Sequence, residues 1–172
     1  HALAMHEPGE VTTNVSRTYQ ALEAGKPNAA VRIARAAHEL DPEGHITNAA
    51  LAKALMESGD EAGALKYWID ACEGGPASYK PRYITGALES MTRTLQSTAH
   101  TVLPSVHAGA LQTLSSIDAE DPRIPLALAR IDLRQEADNP ALGVARAFRR
   151  LDNFLRTVRD VGLADLHPDS EE

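Results

Sequence analysis

The chain repeats itself with a period of 34 residues, and this internal repeat restricts its fold more than any other feature. When 11–44 is aligned with 45–78, matching residues fall where a pair of helices needs them. They are a glycine in the turn (Gly25, Gly59), alanines at the helix crossing (Ala30, Ala64; Ala37, Ala71) and a closing proline (Pro42, Pro76). A unit of this length holds two short helices that cannot bury their apolar residues without a neighbour. The repeat therefore predicts helix pairs that stack on one another.

The second unit shows the predicted helix pair most clearly. Apolar residues recur at helical spacing in both halves, namely Ile46, Leu51, Leu55 and Met56, then Ala64, Leu65, Trp68 and Cys72. Gly59 suits the left-handed conformation that ends a helix, and Asp60 suits the N-cap of the next. Pro76 prevents the second helix from continuing.

Residues 11–78 resemble two tandem tetratricopeptide repeats (TPR). The small-residue positions of that family are occupied by Ala30, Ala37, Ala52, Ala64 and Ala71, its bulky second-helix position by Trp68, and its closing proline by Pro42 and Pro76. The first unit departs at Thr18, which replaces a small residue, and at Ala34, where a large aromatic is usual. The resemblance implies an all-α fold, a right-handed α-α superhelix (TPR-like solenoid) of about eight antiparallel helices.

Beyond Pro76 the period breaks. An apolar series predicts one long helix over 81–103, and the next Asp-Pro stop comes 46 residues after Pro76 instead of 34. A third hairpin with a lengthened first helix accounts for this spacing. Two further helices are predicted, over 124–137 and about 140–162, and the last should turn these residues inward: Val144, Ala147, Phe148, Leu151, Leu155 and Val158.

The expected domain organisation is a single TPR-like helical repeat domain over 10–162. Residues 1–9 are interpreted as a tag remnant or a disordered segment, and 163–172 as a frayed acidic tail.

Composition supports a helical fold and excludes some functions. Aromatic residues make up only 4% of the chain, so the core must be aliphatic and rich in alanine. The net charge of −7 argues against nucleic-acid binding, which needs a basic footprint. No apolar run approaches the length of a membrane span. We expect a cytoplasmic protein, with the periplasm left open, and the excess of arginine (13) over lysine (4) hints at a GC-rich bacterial genome.

No catalytic or metal-binding motif is found in the sequence, so neither a cofactor nor a metal is expected. The segment HELDPEGH fails as a zinc motif because Pro42 stands where the second histidine is required and His45 follows a helix break. Cys72 is expected to be an inert core thiol, and His100 and His107 are expected on the polar surface.

The resemblance implies a concave groove lined by the first helix of each pair, where relatives bind an extended peptide or a partner helix. Its predicted lining is Thr12, Val15, Tyr19, Leu22 and Glu23, then Ile46, Ala49, Lys53, Met56 and Glu57, then Lys80, Tyr83, Ala87, Ser90 and Met91. The principal partner-binding residues among these are Val15, Tyr19, Leu22, Ala49, Lys53, Met56, Tyr83 and Met91. The carboxylate clamp of chaperone-binding relatives is missing, since Val15, Tyr19 and Ala50 stand at its positions.

Two other surfaces are candidates. Arg146, Arg149 and Arg156 form an arginine face that suits an acidic partner, although Asp152 and Asp160 favour ordinary pairing within the helix. The long helix 81–103 suggests homo-oligomerisation through Met91 and Leu95.

The sequence thus predicts a non-catalytic protein–protein interaction scaffold that binds a protein or peptide partner, either by itself or as an accessory domain of a larger bacterial protein. The alternative is an enzyme or small-molecule-binding domain on a helical scaffold.

Overall fold

The computed structural model describes residues 8–96, 104–118, 121–135 and 140–164, which contain eight α-helices and no strand. The helices are α1 (Pro8–Glu23), α2 (Pro27–Leu40), α3 (His45–Ser58), α4 (Glu61–Gly74), α5 (Lys80–Gln96), α6 (Pro104–Ile117), α7 (Arg123–Gln135) and α8 (Pro140–Ala164). The all-α prediction is confirmed.

The turns within the first two helix pairs form as the sequence predicts. Gly25 and Gly59 both have positive φ, at 65° and 90°, a conformation that glycine adopts without strain. Asp60 caps α4, because its carboxylate accepts a hydrogen bond of 2.9 Å from the Gly63 amide. Pro27 occupies the first turn of α2, where its missing N–H costs no helical hydrogen bond.

The link between α2 and α3 is held by two buried side chains. The Thr47 hydroxyl donates to the Asp41 and Gly44 carbonyls at 2.6 and 2.7 Å. The Asn48 amide donates to the Pro42 and Gly44 carbonyls, both at 3.1 Å. The Asp41 and Pro42 carbonyls lie in the break between the helices, so these side chains supply hydrogen bonds that a helix would otherwise provide, while the Gly44 carbonyl also accepts from the Asn48 backbone N–H.

The helices divide into two compact units, α1–α5 and α6–α8. In the first unit each helix packs on the next, and α3 also contacts α1 and α5. Its core is rich in fully buried alanines, as the composition predicts: Ala30, Ala34, Ala37, Ala50, Ala52, Ala54, Ala64, Ala71 and Ala87. Thr18 fits a buried position because its hydroxyl donates to the Asn14 carbonyl at 2.8 Å.

Trp68 and Gly86 show why α5 needs a small residue where it crosses α4. A Cβ on Gly86 would lie 2.5–2.7 Å from three carbons of the Trp68 ring. The Trp68 Nε1–H donates to the Met56 Sδ at 3.0 Å, which fixes the ring against α3. The ring therefore packs directly on the backbone of α5.

The predicted long helix is confirmed as far as Gln96, where α5 ends in the described residues. Residues 97–103 and the Leu95 side chain lie outside the described part of the chain, so the full length of this helix stays a prediction. At the ends of the chain, α1 begins at Pro8 and α8 extends to Ala164, while 1–7 and 165–172 lie outside the described residues.

In the second unit α7 packs on both α6 and α8. Buried residues of this unit include Leu111, Leu114, Ile124, Ala129 and Ala147.

Two sequence predictions for this unit are wrong. His107 is buried with 1% of its surface exposed, whereas it was expected on the surface. On α8 the predicted inward stripe is largely exposed, at 48% for Val144, 72% for Phe148 and 63% for Leu155. Of that stripe Ala147 is buried and Leu151 is half-buried, while the Val158 side chain lies outside the described residues. An amphipathic pattern shows that one face of a helix is apolar, but it does not show that a neighbour covers the whole face.

Candidate functional site

A surface depression of about 520 Å³ lies where α1 and α3 pack side by side. It is lined by Tyr19, Leu22 and Glu23 of α1, by Gly25 and Pro27 at the turn into α2, and by Lys53 and Glu57 of α3. The spacing of three and four residues within α1 and α3 places these side chains on the two facing sides of the helices. We call this surface the α1/α3 depression.

Tyr19 forms part of the floor of the depression. It is half-buried and packs against the core residues Val15, Ala37 and Ala50. Burial raises the pKa of its hydroxyl, while the positive charges of Arg82 and Lys53 partly oppose that shift. The phenol therefore stays neutral at physiological pH and remains available as a hydrogen-bond donor or acceptor.

Charged side chains form the α3 side of the depression. The Lys53 ammonium contacts the Glu57 carboxylate at 2.7 Å, and this hydrogen bond is the main reason why the pKa of Glu57 is lowered. Arg93 of α5 lies 3.9 Å from the same carboxylate and 2.6 Å from Glu89. Ion pairs this exposed contribute little to stability, so they can exchange partners at low cost when a charged ligand approaches.

An aromatic cluster connects the start of α3 to α5. His45 Nδ1 and the Tyr83 hydroxyl are joined by a hydrogen bond of 2.8 Å. The rings of Tyr79 and Tyr83 stack with centroids 5.9 Å apart, and the Trp68 ring lies 6.2 Å from that of Tyr83. Burial raises the pKa of Tyr83 to about 12, and its neighbours Tyr19 and Tyr79 add to that rise. The cluster fixes α5 on the unit and keeps Tyr83 a neutral hydrogen-bonding group.

The principal partner-binding residues predicted from sequence fall into two groups. Tyr19, Leu22 and Lys53 meet in the α1/α3 depression, together with Glu23 and Glu57. The remaining predicted residues are buried within the first unit: Val15, Ala49, Met56, Tyr83 and Met91. Contact of this second group with a partner stays a prediction, but in the folded unit these side chains serve its own packing.

Sequence reasoning missed three residues of this region, His45, Tyr79 and Arg82. Tyr79 and Tyr83 are one helical turn apart, so their stacking is a local signal that the sequence contains. The bond from His45 to Tyr83 spans 38 residues and has no such signal.

The predicted arginine face lies on α8. Arg146, Arg149 and Arg156 are all exposed. Arg156 pairs with Asp152 at 3.0 Å, which confirms the expected pairing within the helix for Asp152, whereas the Asp160 side chain lies outside the described residues. A second surface depression lies here, lined by Asp152, Leu155, Arg156 and Arg159.

The described residues give no geometry for metal or thiol chemistry. No group of three or more potential metal-binding side chains occurs in the part of the chain that the structure describes. His38 belongs to α2 and His45 begins α3, so the helix break that rules out the zinc motif is confirmed. Burial raises the pKa of the Cys72 thiol to about 12, as expected for an inert core cysteine.

Among the described helices, none is both long and apolar enough to cross a bilayer.

Compared with known proteins, the chain matches no family model, no curated protein sequence and no solved structure.

Proposed function

We propose that this protein is a non-catalytic interaction scaffold whose α1/α3 depression binds a segment of a protein partner. The observation that carries the proposal is the convergence of Tyr19, Leu22 and Lys53 in one surface depression. The resemblance of 11–78 to tandem repeats implies that these three residues line one groove, and Tyr19 and Lys53 stand at equivalent positions of the two units. Their presence in one depression supports the proposal.

We further propose that α1–α5 are stacked as a TPR-like right-handed superhelix. The 34-residue period and the contacts of α3 with α1 and α5 support this arrangement, since first helices that lie side by side generate a concave surface in repeat proteins.

The chemistry of the depression indicates the kind of segment that it binds. Leu22, Pro27 and the ring of Tyr19 offer apolar contact, which suits one apolar anchor residue of the partner. Glu23 and Glu57 add two carboxylates to the lining, and Lys53 adds a cation that pairs with Glu57. A bound segment would then carry an apolar anchor residue with a basic residue beside it. The basic residue would pair with Glu57 in place of Lys53.

The proposal is tested by selecting peptides from a display library against the full chain and measuring their affinities by fluorescence anisotropy. Lys53→Glu should tighten binding of the selected peptides by at least about tenfold, because it removes the cation that occupies Glu57 and adds a carboxylate that can pair with the basic residue of the peptide. Lys66→Glu is the matched control, since it makes the same change on the exposed side of α4. Equal effects of the two variants, or selected peptides that bind the Leu22→Ser variant unchanged, would remove the assignment of the depression.

A further inference from the structure

The helix α8 exposes an apolar seam that its own unit does not cover. Val144, Phe148 and Leu155 are 48%, 72% and 63% exposed. With the half-buried Leu151 they are spaced by four, three and four residues, so they form a single line along the helix. This is the spacing with which one helix packs on another.

The helix α7 packs on α8 without covering this seam. Ala147 is buried, whereas the next residue, Phe148, is the most exposed of the seam. Successive residues of a helix are separated by about 100° around its axis. The apolar face of α8 is therefore only partly covered. Ala147 lies on the covered part, and the seam lies on the exposed part.

Positive charge borders the seam. Arg149 and Arg156 each follow a seam residue directly, so they lie about 100° from Phe148 and Leu155 on the side opposite Ala147. With five arginines and two aspartates, α8 has a formal charge of +3. The whole chain has a net charge of −7, so the residues outside α8 together carry −10. The most basic helix of an acidic protein thus carries its exposed apolar seam.

We propose that the seam of α8 docks an amphipathic helix of another protein, one whose apolar stripe is bordered by glutamate or aspartate. The basic border selects an acidic partner by charge complementarity. It disfavours a second copy of the chain, because two α8 helices would bring charges of +3 together. A single line of four apolar residues suits the packing of one helix better than a membrane surface, into which a broad apolar face must insert.

The experiment uses the full chain and two synthetic helical peptides of about four heptads each. Both carry leucine at the seam positions, and they differ only in having glutamate or lysine on the flanks. By fluorescence anisotropy the acidic peptide should bind at least about tenfold more tightly than the basic one, and added salt should reduce the difference.

Variants then assign the binding to the seam. Phe148→Ser with Leu155→Ser should weaken binding of the acidic peptide by at least about tenfold. The matched control is Leu126→Ser, an exposed leucine of α7, which should leave binding unchanged.

Charge reversal tests the border in the same way. Arg149→Glu with Arg156→Glu should shift the preference toward the basic peptide. Arg32→Glu with Arg35→Glu makes an equal change of net charge on exposed positions of α2 and should not shift it.

Three results would overturn the proposal. The first is equal affinity for the acidic and basic peptides, or no binding of either. The second is a wild-type dimer in sedimentation equilibrium that the Phe148 and Leu155 substitutions dissociate, which would identify the occupant as a second copy. The third is binding to phosphatidylglycerol vesicles without binding of the acidic peptide. Because the Lys53→Glu variant of the α1/α3 depression should bind the acidic peptide normally, failure of one proposal is distinguishable from failure of the other.

Discussion

Replacing Gly86 with alanine places a methyl group against the ring of Trp68. The added Cβ would lie 2.5 Å from the nearest ring carbon and 2.7 Å from two others. Carbon atoms in contact prefer a separation of about 3.5–4.0 Å, so the ring or the backbone of α5 must move by about 1 Å. The ring has little freedom to move, since it is buried, its N–H is bonded to the Met56 sulfur and the Tyr83 ring lies 6.2 Å from it.

Two opposing contributions decide the size of the effect. Alanine is favoured over glycine inside a helix by about 1 kcal/mol. Overpacking a filled core costs about 1–3 kcal/mol, and three simultaneous clashes with a fixed ring put Gly86→Ala at the upper end of that range. We therefore expect a net loss of about 2 kcal/mol in the free energy of unfolding, which lowers the urea midpoint by about 1 M at a typical m-value of about 2 kcal/mol/M.

The chain provides its own reporter for this measurement. Trp68 is its single tryptophan, so urea unfolding followed by tryptophan fluorescence reports on the packing around Gly86 directly. The control is Gly109→Ala in α6, followed by circular dichroism, because a Cβ on Gly109 meets no atom within 4 Å. That substitution should be neutral or stabilising by up to about 1 kcal/mol.

A double-mutant cycle separates the steric clash from other effects of the substitution. In a Trp68→Leu background the clash is gone, so Gly86→Ala should become neutral or stabilising when both variants are followed by circular dichroism. If Gly86→Ala is as stable as the wild type, or if its cost persists in the Trp68→Leu background, the packing argument is refuted.

Three further predictions concern capping and titration. Asp60→Ala should cost about 1 kcal/mol of stability in urea unfolding because the Gly63 amide loses its acceptor, whereas Asp60→Asn should retain most of it. Burial lowers the pKa of His107 below its ordinary value of 6.5. As pH falls below 6.5 the unfolded chain therefore binds a proton that the folded chain resists, and stability should drop. In His107→Leu the urea midpoint should change less between about pH 7 and pH 5 than in the wild type. A hydrogen bond from Arg123 lowers the pKa of Asp121 below its ordinary value of 3.8. The stability that this pair contributes is present above pH 3.8 and is lost as the pH falls below that value. Arg123→Ala should therefore lose less stability on acidification than the wild type, as followed by circular dichroism.

The elements that the sequence predicts well are those with local causes. Gly25 and Gly59 mark the turns because few other residues adopt positive φ without strain, and Asp60 marks the start of α4 because it can cap its own helix. The 34-residue alignment identifies these signals twice, which makes the number of helices in 11–78 and the turns between them predictable.

The errors concern contacts between elements. The apolar pattern of α8 is the same whether Phe148 meets a neighbour or solvent, so the pattern alone assigned it to the core. His107 has the opposite problem, since nothing in its local sequence distinguishes a buried imidazole from a surface one. Among the described residues neither of its ring nitrogens has a hydrogen-bond partner, an arrangement that sequence reasoning has no ground to expect.

The predicted binding residues show how the difference between a buried and an exposed position affects tests of function. Met56 is buried and accepts a hydrogen bond from Trp68, so Met56→Ala removes core packing at a cost of about 2–5 kcal/mol. A loss of partner binding in that variant would report unfolding as readily as a damaged interface. Lys53 is partly exposed and pairs with Glu57, so its substitution changes the charge of the depression without opening a cavity. A partner whose affinity responds to Lys53→Glu while the urea midpoint stays at its wild-type value is therefore sensitive to the surface itself, and only such exposed positions separate binding from stability.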